Sequence, residues 1–146
     1  MTLFLAFLVL AIYDAGCMTV LQLQHYGIYS SVGKENFRGY MRANNRAATL
    51  PTILPAVMLL VTSITLAVRR PGFVRPYEPA IVVILNLVAL ISTILWQRPI
   101  QAQMAETGYD EASIQRLVAT NWIRTSAHWL IAVLGLIILT RVVPGS

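Results

Sequence analysis

Four apolar blocks, at residues 3–23, 50–68, 80–96 and 125–143, dominate the chain. A hydrocarbon core about 30 Å thick takes roughly 20 helical residues to cross, at a rise of about 1.5 Å per residue. In lipid the backbone N–H and C=O groups have no water to bond, and a helix satisfies them within itself. Only 12% of the residues are charged, where a soluble domain carries about a quarter, so little of the chain is suited to a water-facing surface. The expected fold is therefore all-α: a single integral membrane domain over residues 1–146, built as an up-down-up-down four-helix bundle. The spans are expected at about 3–25, 50–68, 79–97 and 125–143. Amphipathic lead-ins at about 35–49 and 110–124 extend the helices beyond the bilayer on one side.

The connections fit that topology. The stretch "GIYSSVGKENF" brings Gly27, Ser30, Ser31 and Gly33 in quick succession and ends the first helix near Tyr26. Pro51 and Pro55 each remove a backbone donor near the start of the second span and are expected to kink it. "RRPGFVRPYEP" is a short proline-rich turn between adjacent spans. The third helix continues through "WQRPIQAQMAETG", with a kink expected at Pro99 and its end at Gly108. Asp110 or a neighbour is placed to cap the last helix. Both termini and the short turn then share one side. The longer connections share the other and carry more Lys and Arg, which places them in the cytoplasm.

Several function classes are set aside by composition. The net charge of +5 comes from eleven basic and six acidic residues, nearly all outside the apolar blocks, where they meet lipid headgroups rather than nucleic acid. Cys17 is the only cysteine, so no intrachain disulfide can form. "DAGC" resembles a lipoprotein cleavage site, but the N-terminus lacks the basic residues of a signal peptide, and the segment reads as a retained helix. Two histidines, no Cys or His pair at ligand spacing and no second carboxylate near Asp14 give no metal-ligand set, and no glycine motif for nucleotides is present; no cofactor is expected. Haem would need His25 and His128 to face one another.

Polar side chains inside the apolar blocks are costly and usually face a bundle interior, so each is a candidate for function. Asp14 lies near the middle of the first span, and His25, eleven residues on, is expected to share its face. Asn86, Thr93, Gln97 and Gln101 draw one stripe on the third helix, and Asn121, Arg124, Thr125 and His128 another on the fourth. Before the second span Arg38, Arg42, Asn45 and Thr49 form a further stripe, with Arg46 at a similar depth. Counted from each block's centre, His128 lies ~9 Å, Gln97 ~13 Å, and His25, Arg124 and Arg46 ~15 to 18 Å from the midplane, all toward the long connections. Four helices thus offer polar groups to one pocket at one membrane face. Trp96, Trp122, Trp129 and Tyr26 lie near the same level and read as an interfacial belt, with the tryptophans alternatively as pocket walls.

The stretches "YMRANNRAATLPTILPAVML", "WQRPIQAQMAETG" and "NWIRTSAHWLIAVLGL" resemble the three recurrent segments of the anthrone oxygenase family, small four-helix membrane proteins formerly classed as a domain of unknown function. The likeness runs from about Met41 onward. Family members often carry asparagine where this chain has Gln101, which weakens any role transferred to that position. The resemblance implies oxidation of an anthrone to an anthraquinone by O₂ without metal or flavin. Such chemistry needs a base, donors aimed at a developing oxyanion, and a dry pocket. His128 or His25 is the candidate base, and Arg124, Asn121, Gln97, Arg46 and Asn45 are the candidate substrate-binding groups. Asp14 and Asn86 are intramembrane polar residues expected to bond within the bundle, Asp14 to Asn86 or to a hydroxyl of the second span.

Two functions remain, the first of them the one that the resemblance implies. One is cofactor-independent oxidation, or binding, of a lipophilic aromatic or quinone in the bacterial cytoplasmic membrane. The other is a non-catalytic accessory subunit, packed in a larger membrane complex or a homo-oligomer, whose polar face meets lipid or a partner.

Overall fold

A computed structural model describes residues 1–142; Val143, the expected last residue of the fourth span, lies outside them. Among the described residues there is no β-strand, and four helical stretches are long and apolar enough to cross a membrane. The first comprises α1 (Thr2–Val20), a wide π-helical turn at Leu21–His25 and a 3₁₀ turn at Tyr29–Ser31. The second is α2 (Phe37–Val68). The third joins α3 (Tyr77–Ser92) to α4 (Arg98–Thr107) through a second π-helical turn at Thr93–Gln97, and the fourth is α5 (Glu111–Leu139).

Each boundary has a local cause. The chain leaves α4 through Gly108, whose φ of 97° is a conformation that residues with a Cβ rarely adopt. Asp110 then caps α5, its carboxylate accepting from the Ser113 amide at 3.1 Å and from the Ser113 hydroxyl. These two donors hold the Asp110 carboxyl below the usual carboxylate range. The cap is therefore present at neutral pH and is lost as pH falls through that lowered value. At the opposite end Glu78, in the first turn of α3, accepts from the Arg75 amide at 2.8 Å and pairs with Arg141 at 2.7 Å, tying α3 to the chain beyond α5.

The expected proline kinks take a more specific form. α2 runs unbroken through Pro51 and Pro55. Pro55 has no N–H to offer the Pro51 carbonyl one turn back, and the Tyr13 hydroxyl of α1 donates to that carbonyl at 3.1 Å instead. In the third helix the irregularity sits one turn ahead of Pro99, in the wide turn at Thr93–Gln97. A widened turn relieves the clash that a proline ring makes with the preceding backbone.

α1 packs on α2 and α5, and α3 packs on the same two, so the four long helices close a ring. Inside the ring are two apolar clusters. One gathers Phe4, Phe7, Leu8, Ala11, Leu59, Leu66, Val82 and Ile131. The other gathers Tyr26, Tyr29, Phe37, Met41, Ile100, Met104 and Leu117. Gly135 lets α5 pack tightly on α1: a Cβ there would stand 2.9 Å from Leu8 Cδ1 and 3.3 Å from the Phe7 ring. Gly135→Val is expected to destabilise the protein by about 1–3 kcal/mol through overpacking, read as a lowered Tm in detergent.

Candidate functional site

Between the two clusters lies a cavity of about 310 Å³. On each long helix most of the lining residues fall between the residues of the two cores. α1 and its wide turn contribute Met18, Leu21, His25 and Tyr26, and α2 contributes residues from Asn44 to Leu60. The third helix contributes Asn86, Thr93, Gln97 and Gln101 with Ala89, Leu90 and Ile94, and α5 contributes Arg124 and His128. Both wide turns border the cavity, and each ends on a polar lining residue, His25 and Gln97. Wide turns of this kind are frequent at functional sites because they re-aim side chains away from the 3.6-residue register.

Arg124 is the electrostatic centre. Its side chain is nine-tenths buried, yet among the described residues no carboxylate pairs with it. Its partners are neutral oxygens: Nε donates to Asn121 Oδ1 at 2.9 Å, one terminal nitrogen to Thr93 Oγ1 at 3.3 Å, and the other to the Tyr26 hydroxyl at 3.4 Å. A guanidinium has five N–H groups, so two remain uncommitted beside the cavity. Gln101 Nε2 donates to the same Tyr26 hydroxyl at 3.2 Å. With both lone pairs of that oxygen engaged, its own proton is left for an acceptor elsewhere.

Three further buried atoms have no hydrogen-bond partner among the described residues and belong to lining side chains: His128 Nδ1, Gln97 Nε2 and Asn45 Oδ1. Gln97 is oriented by Ser92, whose hydroxyl donates to Gln97 Oε1 at 3.2 Å across the wide turn, leaving the amide nitrogen free. Buried polar atoms are normally paired, so three orphans around one cavity, next to an uncompensated cation, mark a place where a ligand oxygen or acidic C–H can be met.

On α5 the division of faces is sharp. Asn121, Arg124 and His128 point inward, while Trp122, Ile123, Trp129 and Leu130 are exposed. Asn121 nevertheless does not line the cavity. It stands behind Arg124, accepting from its Nε and donating to Gln22 Oε1 at 2.7 Å, so its part is to position the guanidinium. His25 lines the cavity, with Nε2 at 3.3 Å from the Tyr29 hydroxyl, whose oxygen accepts from Asn44 Nδ2 at 2.9 Å. Asn45 lines it too and donates to the Gln101 carbonyl at 3.3 Å.

Other expectations are corrected. Arg46 is exposed and does not line the cavity, because it lies one residue, or about 100° of helix, from Asn45. Arg38 and Arg42 donate to the carbonyls of Thr107 and Ala105 at the end of α4. Asn86 lines the cavity but donates to Ser63 and to the Val82 carbonyl, not to Asp14. Asp14 is fully buried, outside the cavity lining, and neither carboxyl oxygen has a partner among the described residues. The wide turn at Leu21–His25 breaks the register that would join His25 to Asp14; the buried face of Asp14 runs on through Met18 to Gln22. None of the tryptophans forms a wall. Trp122 and Trp129 are exposed and Trp96 packs against the second cluster, whereas Tyr26, which reads equally as a belt residue, is 2% exposed and lines the cavity.

Sequence reasoning also missed Gln22, Tyr29, Asn44, Ser63 and Ser92 as members of this polar framework. The one available signal was the spacing of Gln22 from Met18 and Asp14. Among the described residues no three His, Cys, Asp or Glu side chains gather as a metal site. The chain matches no family model, no curated protein and no solved structure.

Proposed function

We propose that the four long helices cross a bilayer up, down, up and down, and that the cavity among them binds a lipophilic aromatic ketone of the anthrone type and oxidises it with O₂. The observation that carries this reading is the buried Arg124 guanidinium, without a carboxylate, beside an orphaned His128 Nδ1. A buried charge without a counter-ion costs several kcal/mol, and a developing oxyanion is the partner that offsets it.

The residues divide the work as follows. His128 takes one proton from the methylene carbon of the bound ketone, whose charge moves onto the carbonyl oxygen. Arg124 and the Gln97 amide donate to that oxygen as it becomes an enolate, which lowers the barrier most where water is excluded. The electron-rich enolate gives an electron to O₂, and recombination forms a C–O bond to a peroxide. His128 returns its proton to the peroxide. Loss of the remaining C–H as the O–O bond breaks leaves a second carbonyl and one water. One anthrone and one O₂ thus become one anthraquinone and one H₂O.

The purified protein in lipid nanodiscs is expected to accelerate conversion of anthrone to anthraquinone well above the rate in protein-free discs, with one O₂ consumed per anthrone. A rate equal to that of protein-free discs would favour the accessory-subunit reading, in which the exposed apolar faces serve packing in a larger complex.

A further inference from the structure

The cavity has a direction. At its inner end Arg124 and His128 are 9% and 4% exposed, while four of its apolar lining residues are open to the surroundings: Ile53 and Val57 on α2 at 38% and 51%, Leu90 and Ile94 on the third helix at 43% and 58%. A residue that both lines a cavity and is half exposed stands at its mouth. These four belong to only two helices, so the mouth is a slot between α2 and α3, flanked by the small side chains of Ala56 and Ala89. The exposed Thr49 and Arg98 also line the cavity, so the slot runs from near the middle of the apolar blocks toward the long connections. Pro51 and Pro55 bracket Ile53, so α2 lacks two backbone hydrogen bonds beside the slot and can bend there with less resistance.

We infer that the α2–α3 slot is a lateral portal, through which ligand passes between bilayer and cavity, and that the natural ligand carries an apolar chain that stays in the slot while its ring sits at Arg124 and His128. The inference rests on the reading of the cavity as a site for a lipophilic ring. A volume of about 310 Å³ lies at the low end of small-molecule sites, enough for a fused ring system but not for a ring together with a long chain. A chain attached to the ring must therefore leave through the slot, where it meets lipid tails as apolar as itself.

The test compares anthraquinone with anthraquinone bearing a decyl chain, bound to the protein in nanodiscs and followed by quenching of intrinsic fluorescence, with both expressed as mole fraction in lipid. The wild-type protein is expected to bind the two within about threefold of each other. Ile94→Trp, which fills the slot, is expected to weaken the decyl compound at least tenfold relative to the bare ring, and Val57→Trp on the facing helix to do the same. If the wild-type protein binds anthraquinone but rejects the decyl compound, the cavity is closed to chains and the portal is wrong, while the ring site stands. If both tryptophan variants retain the wild-type ratio, the portal is wrong as placed. If neither compound binds the wild-type protein, the ring site itself fails and the portal with it.

Discussion

His128→Phe should cut turnover by about 10²–10⁴ while leaving the protein at least as stable as the wild type. His128 makes no hydrogen bond among the described residues, and its Nδ1 is buried without a partner, so a phenyl ring of similar size removes an unsatisfied polar atom and no bond. Unmet buried polar groups cost about 1–3 kcal/mol, which sets the upper limit of the expected gain. Loss of a general base lowers rates by about 10²–10⁴. A Tm equal or raised, together with an oxidation rate at least about 100-fold lower, separates a catalytic base from a packing residue. A packing residue would show the opposite pairing, with Tm falling and the rate per folded molecule unchanged. His25→Phe serves as the comparison, because His25 is only partly buried and engaged with Tyr29.

Arg124→Met should lower kcat/KM by about 10²–10³, the usual effect of removing a donor from an oxyanion site. The guanidinium also binds Asn121, Thr93 and Tyr26, so its loss frees three oxygens contributed by the first, third and fourth long helices. Stability responds to opposing effects, the removal of a buried charge and the stranding of those oxygens, so the rate is the decisive readout. Arg124→Lys keeps the charge but cannot reach three divergent partners with one ammonium group, and it should recover only part of the rate. An Arg124→Met variant with wild-type kcat/KM would show that the guanidinium serves only as interhelical glue.

The hydropathy of the sequence was enough to mark four long helices, because a 20-residue apolar block has few alternatives to a helix. The inward face of α5 was legible for the same kind of reason: Asn121, Arg124 and His128 recur at three and four residues, and that helix is regular throughout. Periodicity failed where the helices stop being regular. The wide turn at Leu21–His25 carries no compositional mark, and it removed the expected alignment of Asp14 with His25, whereas the turn at Thr93–Gln97 is marked only by Pro99 beyond it. Tyr26 was ambiguous because a tyrosine near a helix end is amphipathic and suits both an interface and a buried hydrogen-bonded position. Arg46 was misplaced because depth along a helix was read without its azimuth; Asn45 and Ala48 take the inward positions there. Asp14 has no physical account in the proposed chemistry, since its two oxygens are buried, unpartnered among the described residues and outside the cavity lining.

Binding and oxidation can be separated by excluding oxygen, and anaerobic titration of the nanodisc-embedded protein with anthrone therefore tests the site most directly. The expected result is saturable binding of one anthrone per protein, accompanied by an enolate absorbance that appears with the wild-type protein and is missing with His128→Phe and Arg124→Met. Admission of O₂ should then discharge that absorbance as anthraquinone forms. Anthrone that merely partitions into the discs, with no saturable component and no enolate signal above that of protein-free discs, would contradict the assignment of the cavity as an anthrone-type site.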